Sequence, residues 1–172
     1  MKLTADMSFD ELLALAEQSP DAVHEIERRF GAKVAVLVVD FSSMRQRMDA
    51  FGTVSALSTI RRACAVYSPA VTQFNGRIVK TVADTIFAVF AQPLDAFSAV
   101  LDGHARMRGF NRDRSGNIVD RQPNAPIYPR AGLGFGESLI LPDGNLYGPE
   151  INRAFILGED VARDHEILAS CD

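Results

Sequence analysis

Residues 33–40 read KVAVLVVD and residues 77–91 read RIVKTVADTIFAVFA; how these two stretches pair decides the fold. The first runs without a polar interruption to Asp40 and is rich in β-branched residues, the composition of a central strand covered on both faces. The second divides at Ala83-Asp84 into two strands, 77–82 and 85–91, joined as a hairpin. Between the two stretches Val54, Leu57, Ile60, Cys64, Tyr67 and Val71 recur every three or four residues. That spacing predicts a core-facing helix over 53–72, which Pro69 should bend or end. A second helix is expected over 94–110, turning Phe97, Val100, Leu101, Ala105 and Met107 to the core.

Outside this centre, residues 9–30 carry apolar residues at helical spacing, with Ser8 and Glu11 as a capping box and a break at Ser19-Pro20, so two short helices precede the first strand. Residues 111–127 are polar and contain Gly116, Pro123 and Pro126, the composition of a long surface loop. IYPRAGLGFGESLILP reads as a strand bent at its glycines, followed after Gly148 by a helix to about 163 and a last strand near 166–169. The order is β-α-β-β-α-β with an added helix and strand, an α+β, ferredoxin-like plan. We divide the chain into an N-terminal helical extension, 1–31, and one domain over 32–172.

That plan carries a geometric consequence. Its third strand lies antiparallel beside the first, so the end of the first strand adjoins the hairpin between the second and third. Asp40 and Asp84 should therefore meet at one edge of the sheet. Two close carboxylates repel unless a cation neutralises them, and oxygen ligands favour Mg²⁺ or Mn²⁺ over zinc.

Composition narrows the function classes. With 172 residues, 47% of them hydrophobic and 23% charged, the chain can bury a core and is not disordered. A net charge of -4, from 18 Lys and Arg against 22 Asp and Glu, argues against nucleic-acid binding through a broad basic surface. No apolar run approaches the roughly 20 residues of a membrane span. Cys64 and Cys171 show no metal-ligand spacing, and a reduced, cytoplasmic setting is expected. The segment from Asn111 through Asp113, Ser115 and Gly116 imitates the start of a calcium loop, but its closing position is Gln122, followed by Pro123, so it lacks the bidentate glutamate. The three histidines, His24, His104 and His165, are dispersed and read as helical surface residues.

VLVVDFSSM (36–44), FNGRIVKTVADTIFAVF (74–90) and LYGPEINRAFILGEDVA (146–162), in this order and spacing, resemble the catalytic homology domain of bacterial class III nucleotidyl cyclases, the adenylyl and guanylyl cyclase family. The resemblance runs over about 33–170. It implies a cyclase homology domain converting ATP to 3′,5′-cyclic AMP and pyrophosphate with two Mg²⁺ or Mn²⁺ ions per site. Asp40 and Asp84 match the metal-binding aspartates, and the Phe41 carbonyl supplies a backbone ligand. The catalytic matches are Lys80 and Asn152. Lys80 stands where the family chooses its base, and lysine there implies adenine; Asn145 falls at the partner position, usually an aspartate, with Asp143 nearby as a substitute. Asn152 matches the asparagine that orients the ribose. The backbone of Phe41, Ser42, Ser43 and Met44, with Arg45 or Arg47, would face the triphosphate.

Two departures accompany the match. The transition-state arginine position is Ile156, and Arg153, about 100° around the helix from Asn152, is no obvious replacement. The family's final β-hairpin, which often carries a phosphate-binding lysine, is not among the residues after EILAS. The resemblance further implies a head-to-tail homodimer, each site taking metal residues from one chain and the Lys80, Asn145 and Asn152 set from the other. The alternative reading is a catalytically degenerate cyclase-homology domain that binds nucleotide or regulates a partner.

Overall fold

A computed structural model describes residues 7–42, 44–112, 115–118, 126–141 and 143–170. Two helices come first, α1 (Phe9–Ala16) and α2 (Pro20–Phe30). The capping box at the start of α1 is formed as read: the Glu11 N–H donates to Ser8 Oγ at 3.3 Å, and the Ser8 N–H donates back to Glu11 Oε2 at 2.7 Å. The sheet begins with β1 (Gly31–Phe41); α3 (Met44–Phe51) and α4 (Thr53–Gln73) lead to β2 (Arg77–Val82), β3 (Thr85–Phe90), α5 (Pro93–Phe110) and β4 (Pro129–Ile140). A two-residue β5 (Leu146–Tyr147), α6 (Pro149–Phe155), a π-helical turn (Ile156–Val161) and β6 (Ile167–Ala169) complete the order.

The strand order is β2-β3-β1-β4-β5, and β6 adds to β4. β1 is antiparallel to β3 on one side and to β4 on the other, the split βαβ arrangement expected from the element order. Residues 34–41 of β1 are all buried, because flanking strands close both edges and side chains of alternate parity enter two different cores. Leu37, Val39 and Phe41 join α4 and α5 on one face, whereas Val34, Val36 and Val38 join Phe87, Ile151 and Ala154 on the other.

The two helices over the first face differ from the sequence reading. Pro69 does not end α4, which continues to Gln73; Ala65, whose carbonyl finds no N–H at residue 69, and Pro69 are both solvent-exposed, so that carbonyl is not sealed from water in the core. Ile60, Tyr67 and Val71 are buried as expected, but Val54 is 82% and Leu57 52% exposed. In α5, Val100 and Met107 are buried while Phe97, Leu101 and Ala105 face out. Small residues set the contact faces instead. Ala56, Ala63 and Ala70 of α4 and Ala96, Ala99 and Gly103 of α5 are buried, and a Cβ on Gly103 would lie 2.4 Å from the Tyr67 ring. This close approach leaves the larger apolar residues outside.

On the opposite face, Gly132, Gly134 and Gly136 share one side of β4. A Cβ on Gly132 would stand 2.0 Å from the Ala154 carbonyl oxygen, and one on Gly134 2.5 Å from that of Glu150. The glycines of GLGFG therefore seat α6 directly on the strand. The helix expected to reach about 163 widens into the π turn at Ile156, where Gly158 packs against the Gly132 amide and the Val38 carbonyl.

Candidate functional site

Asp40, the last residue but one of β1, has the parity of Val34, Val36 and Val38, so its carboxylate lies on the α6 face of the sheet. It pairs in register with Thr85 of β3 and with Arg130 of β4. Asp84 occupies the β2–β3 turn immediately before Thr85; Ala83, its neighbour in the turn, takes a left-handed φ of 50°. The topology thus brings Asp40 and Asp84 to the same sheet edge, as the sequence reading requires. Burial pushes the Asp84 carboxyl above the usual range, and repulsion from Asp40 adds to the effect.

Two residues that the sequence reading missed complete this corner. Arg130 Nε donates to Asp40 Oδ2 at 2.6 Å, an ion pair whose acidic partner is almost wholly buried. Glu159, from the π turn, accepts a hydrogen bond from Thr85 Oγ1. Burial raises the Glu159 carboxyl too, reinforced by Asp40 and Asp84 and opposed by the Thr85 hydrogen bond. Only the β1–β4 register could have pointed to Arg130, and only the widened helical turn to Glu159; neither is a feature of local sequence.

The donor chemistry here suits a hard divalent cation. Asp40 and Asp84 supply carboxylate oxygens whose mutual repulsion a cation would reverse. Ser42 Oγ, two residues beyond Asp40, is buried with no hydrogen-bond partner. Among the described residues, no three His, Cys, Asp or Glu side chains are arranged to enclose a metal ion by themselves, so part of the coordination shell would come from backbone, substrate or water.

The remaining expected residues fall in two places. At the C-terminal end of β1, the Phe41 and Met44 side chains are buried in the core, which leaves only their backbone groups for a ligand. Ser43 lies outside the described residues, as do Asp113, Gln122 and Pro123 of the calcium-loop imitation and Cys171. Arg45 is exposed, but Arg47 is buried and donates to the Pro126 carbonyl at 2.8 Å, which removes it from the expected phosphate contacts. Cys64 is half-buried against the core and its thiol is pushed up by burial. His104, expected on the surface, is buried beside Tyr67.

The second place joins Lys80 to Asn145. Lys80 pairs with Phe87 across the β2–β3 ladder, just after an irregularity between Ile78 and Lys80. Its ammonium sits 5.6 Å from the Phe87 ring centre, and Nζ donates to Asn145 Oδ1 at 3.2 Å. Asn145 is presented by the turn between β4 and β5. There Gly144 adopts a φ of 84°, the Asn145 N–H donates to Asp143 Oδ1 at 2.8 Å, and Asn145 Nδ2 donates to Asp143 Oδ2 at 2.7 Å. Two residues 65 apart in sequence, both assigned to the base, thus meet. Asp143 acts through Asn145, orienting its amide oxygen toward Lys80.

Asn152 is exposed on α6, and Ile156, one turn on, is 50% exposed. Phe155 between them stacks on Phe87 at 6.2 Å between ring centres. Arg153 is held by Glu150, Nη1 to Oε1 at 2.6 Å. Glu150 is buried and also accepts from the Phe135 N–H and from Ser170 Oγ, which ties α6 to β4 and to the chain after β6.

No protein-family model matches the chain, and no curated protein sequence does. Solved structures do. An adenylate/guanylate cyclase/hydrolase from Silicibacter pomeroyi is 23% identical with a TM-score of 0.65, over 80% of this chain and 76% of that one. The adenylyl cyclase CyaB from P. aeruginosa is 20% identical with a TM-score of 0.67, over 81% and 77%. The monomeric guanylyl cyclase domain of the RhoGC fusion protein from the aquatic fungus Blastocladiella emersonii is 18% identical with a TM-score of 0.66, over 82% and 84%. The α+β fold is that of the class III adenylyl and guanylyl cyclase catalytic domains. No helix among the described residues is long and apolar enough to cross a membrane.

Proposed function

We propose that the chain is a metal-dependent nucleotide cyclase that converts ATP to 3′,5′-cyclic AMP and pyrophosphate, acting as a head-to-tail homodimer in the cytoplasm. The observation that carries this reading is the meeting of two separate sets, Asp40 with Asp84 and Lys80 with Asn145, on a cyclase fold. Asp40 and Asp84 would hold two Mg²⁺ or Mn²⁺ ions, with the Phe41 carbonyl. Those ions, when bound, lower the pKa of the attacking ribose 3′-hydroxyl and offset phosphoryl charge.

The chain's own groups do the rest. Lys80 donates to an acceptor on the adenine edge, and Asn145 Oδ1, already turned away from Asp143, accepts from the adenine amino group. Asn152 orients the ribose. Arg130 neutralises Asp40, and from the same strand end its fork of N–H donors would suit phosphate oxygens of the triphosphate. The backbone after Phe41 lies at the same strand end.

Ile156 supports a second reading, a degenerate cyclase-homology domain that binds nucleotide or regulates a partner. An exposed isoleucine at the place where the resemblance implies an arginine removes a cation from the developing charge, a loss of orders of magnitude in rate. Incubation of the purified protein with Mn²⁺ and each nucleoside triphosphate separates the two. Cyclic AMP formed above the level of Asp40→Ala supports the enzyme; no cyclic product at any dimer-forming concentration, with ATP still bound, supports the regulator.

A further inference from the structure

The Thr85–Glu159 hydrogen bond brings a third carboxylate beside the Asp40–Asp84 pair, and we propose that Glu159 is an outer acidic member of the cation site, strengthening divalent-metal binding by its charge without ligating the metal. The inference rests on reading the aspartate pair as a metal site. Thr85 is the link: it follows Asp84 in the chain and faces Asp40 across the β1–β3 ladder, so a carboxylate held on its hydroxyl stands next to both. Glu159 arrives from 74 residues away, carried by a π turn that Gly158 anchors to Gly132 and Val38.

Among the described residues, the charged groups at this corner are Asp40, Asp84, Glu159 and Arg130. Arg130 is committed to Asp40, so three carboxylates face a single guanidinium and the corner keeps an excess of negative charge. A divalent cation entering between Asp40 and Asp84 gains attraction from Glu159 even beyond ligating distance, because the surroundings are half-buried and screen weakly. A purely structural hydrogen bond would leave Mn²⁺ affinity indifferent to the charge on residue 159, and this makes the proposal testable.

Glu159→Gln keeps an acceptor for the Thr85 hydroxyl and removes the charge; Thr85→Val removes the hydrogen bond and keeps the charge. Mn²⁺ binding to the full chain without nucleotide is read by the electron paramagnetic resonance signal of free Mn²⁺, and metal-free thermal melts are run alongside. Glu159→Gln should weaken Mn²⁺ binding on the order of tenfold while its metal-free melting temperature stays equal or rises, because one of three mutually repelling carboxylates is gone. Thr85→Val should change Mn²⁺ affinity less. The proposal is overturned if Glu159→Gln binds Mn²⁺ within about twofold of the wild type, whatever its melting temperature. Asp84→Asn separates the two levels of inference: if it weakens Mn²⁺ binding and Glu159→Gln does not, only the role of Glu159 fails. If neither does, the metal reading of the aspartate pair fails with it.

Discussion

Three glycines on one side of β4 give a graded test of how α6 is seated. Gly132→Ala places a Cβ 2.0 Å from the Ala154 carbonyl oxygen and 2.6 Å from the Gly158 amide. Both neighbours are backbone, so the end of α6 and the π turn must retreat by about 1.5 Å to reach ordinary contact. Overpacking a dense core costs about 1–3 kcal/mol, and a clash between two backbones belongs at the upper end, about 3 kcal/mol. Gly134→Ala meets the Glu150 carbonyl oxygen at 2.5 Å, and Gly136→Ala meets only the Glu150 side chain, Cγ at 2.7 Å. These should cost about 2 and about 1 kcal/mol in the same frame. For a chain of 172 residues a loss of 1 kcal/mol lowers Tm by about 2–4 °C, so Gly132→Ala should melt about 6–12 °C below the wild type. Urea denaturation at 25 °C gives the free energies directly. The reasoning fails if Gly136→Ala is as destabilising as Gly132→Ala, or if Gly132→Ala stays within about 0.5 kcal/mol of the wild type, because α6 would then not be held by contact with the glycine strand.

Burial pushes His104 down to about 4, so the unfolded chain takes up its proton first as pH falls from 7. Folding stability should therefore drop between about pH 6.5 and pH 4, by about 3 kcal/mol in all. His104→Leu should lack this share, which urea titrations of both proteins at pH 7, 6 and 5 would reveal as a difference that shrinks with acidity. The raised Asp84 and Glu159 carboxyls act with the opposite sign and cancel in that comparison. Lys80→Glu should reverse base preference, raising the GTP-to-ATP ratio of kcat/KM by about a hundredfold; an unchanged ratio would remove Lys80 from base recognition. Ile156→Arg should raise cyclic AMP formation by about a hundredfold with little change in Tm, since residue 156 is half in solvent; a silent but ATP-binding variant would favour the regulatory reading.

What could be read from the sequence follows the range of the forces concerned. The strands were legible because alternation and β-branching act locally, and the hairpin at Ala83-Asp84 then left one way to bring Asp40 beside it. The Lys80–Asn145 pair came from the resemblance, and its geometry rests on the Gly144 turn that bends β4 back into β5. The helix faces were misread for a physical reason. α4 and α5 are packed through alanines and Gly103, and a pattern of large apolar residues points to Val54, Leu57, Phe97 and Leu101, which the close contact leaves outside. Arg130 and Glu159 were out of reach because each owes its place to register. Arg130 lies opposite Asp40 only if β4 pairs with β1 so that Gly132 faces Val38, and Glu159 reaches Thr85 only because the helix after Phe155 widens. The three glycines of β4 bear on the second of these placements. They let α6 lie on β4, and Gly132 also meets Gly158 of the π turn that holds the third carboxylate beside the aspartates. A substitution that lifts α6 should therefore weaken Mn²⁺ binding at Asp40 and Asp84 as well as stability, so that Gly132→Ala and Glu159→Gln share a loss of metal affinity but differ in metal-free Tm.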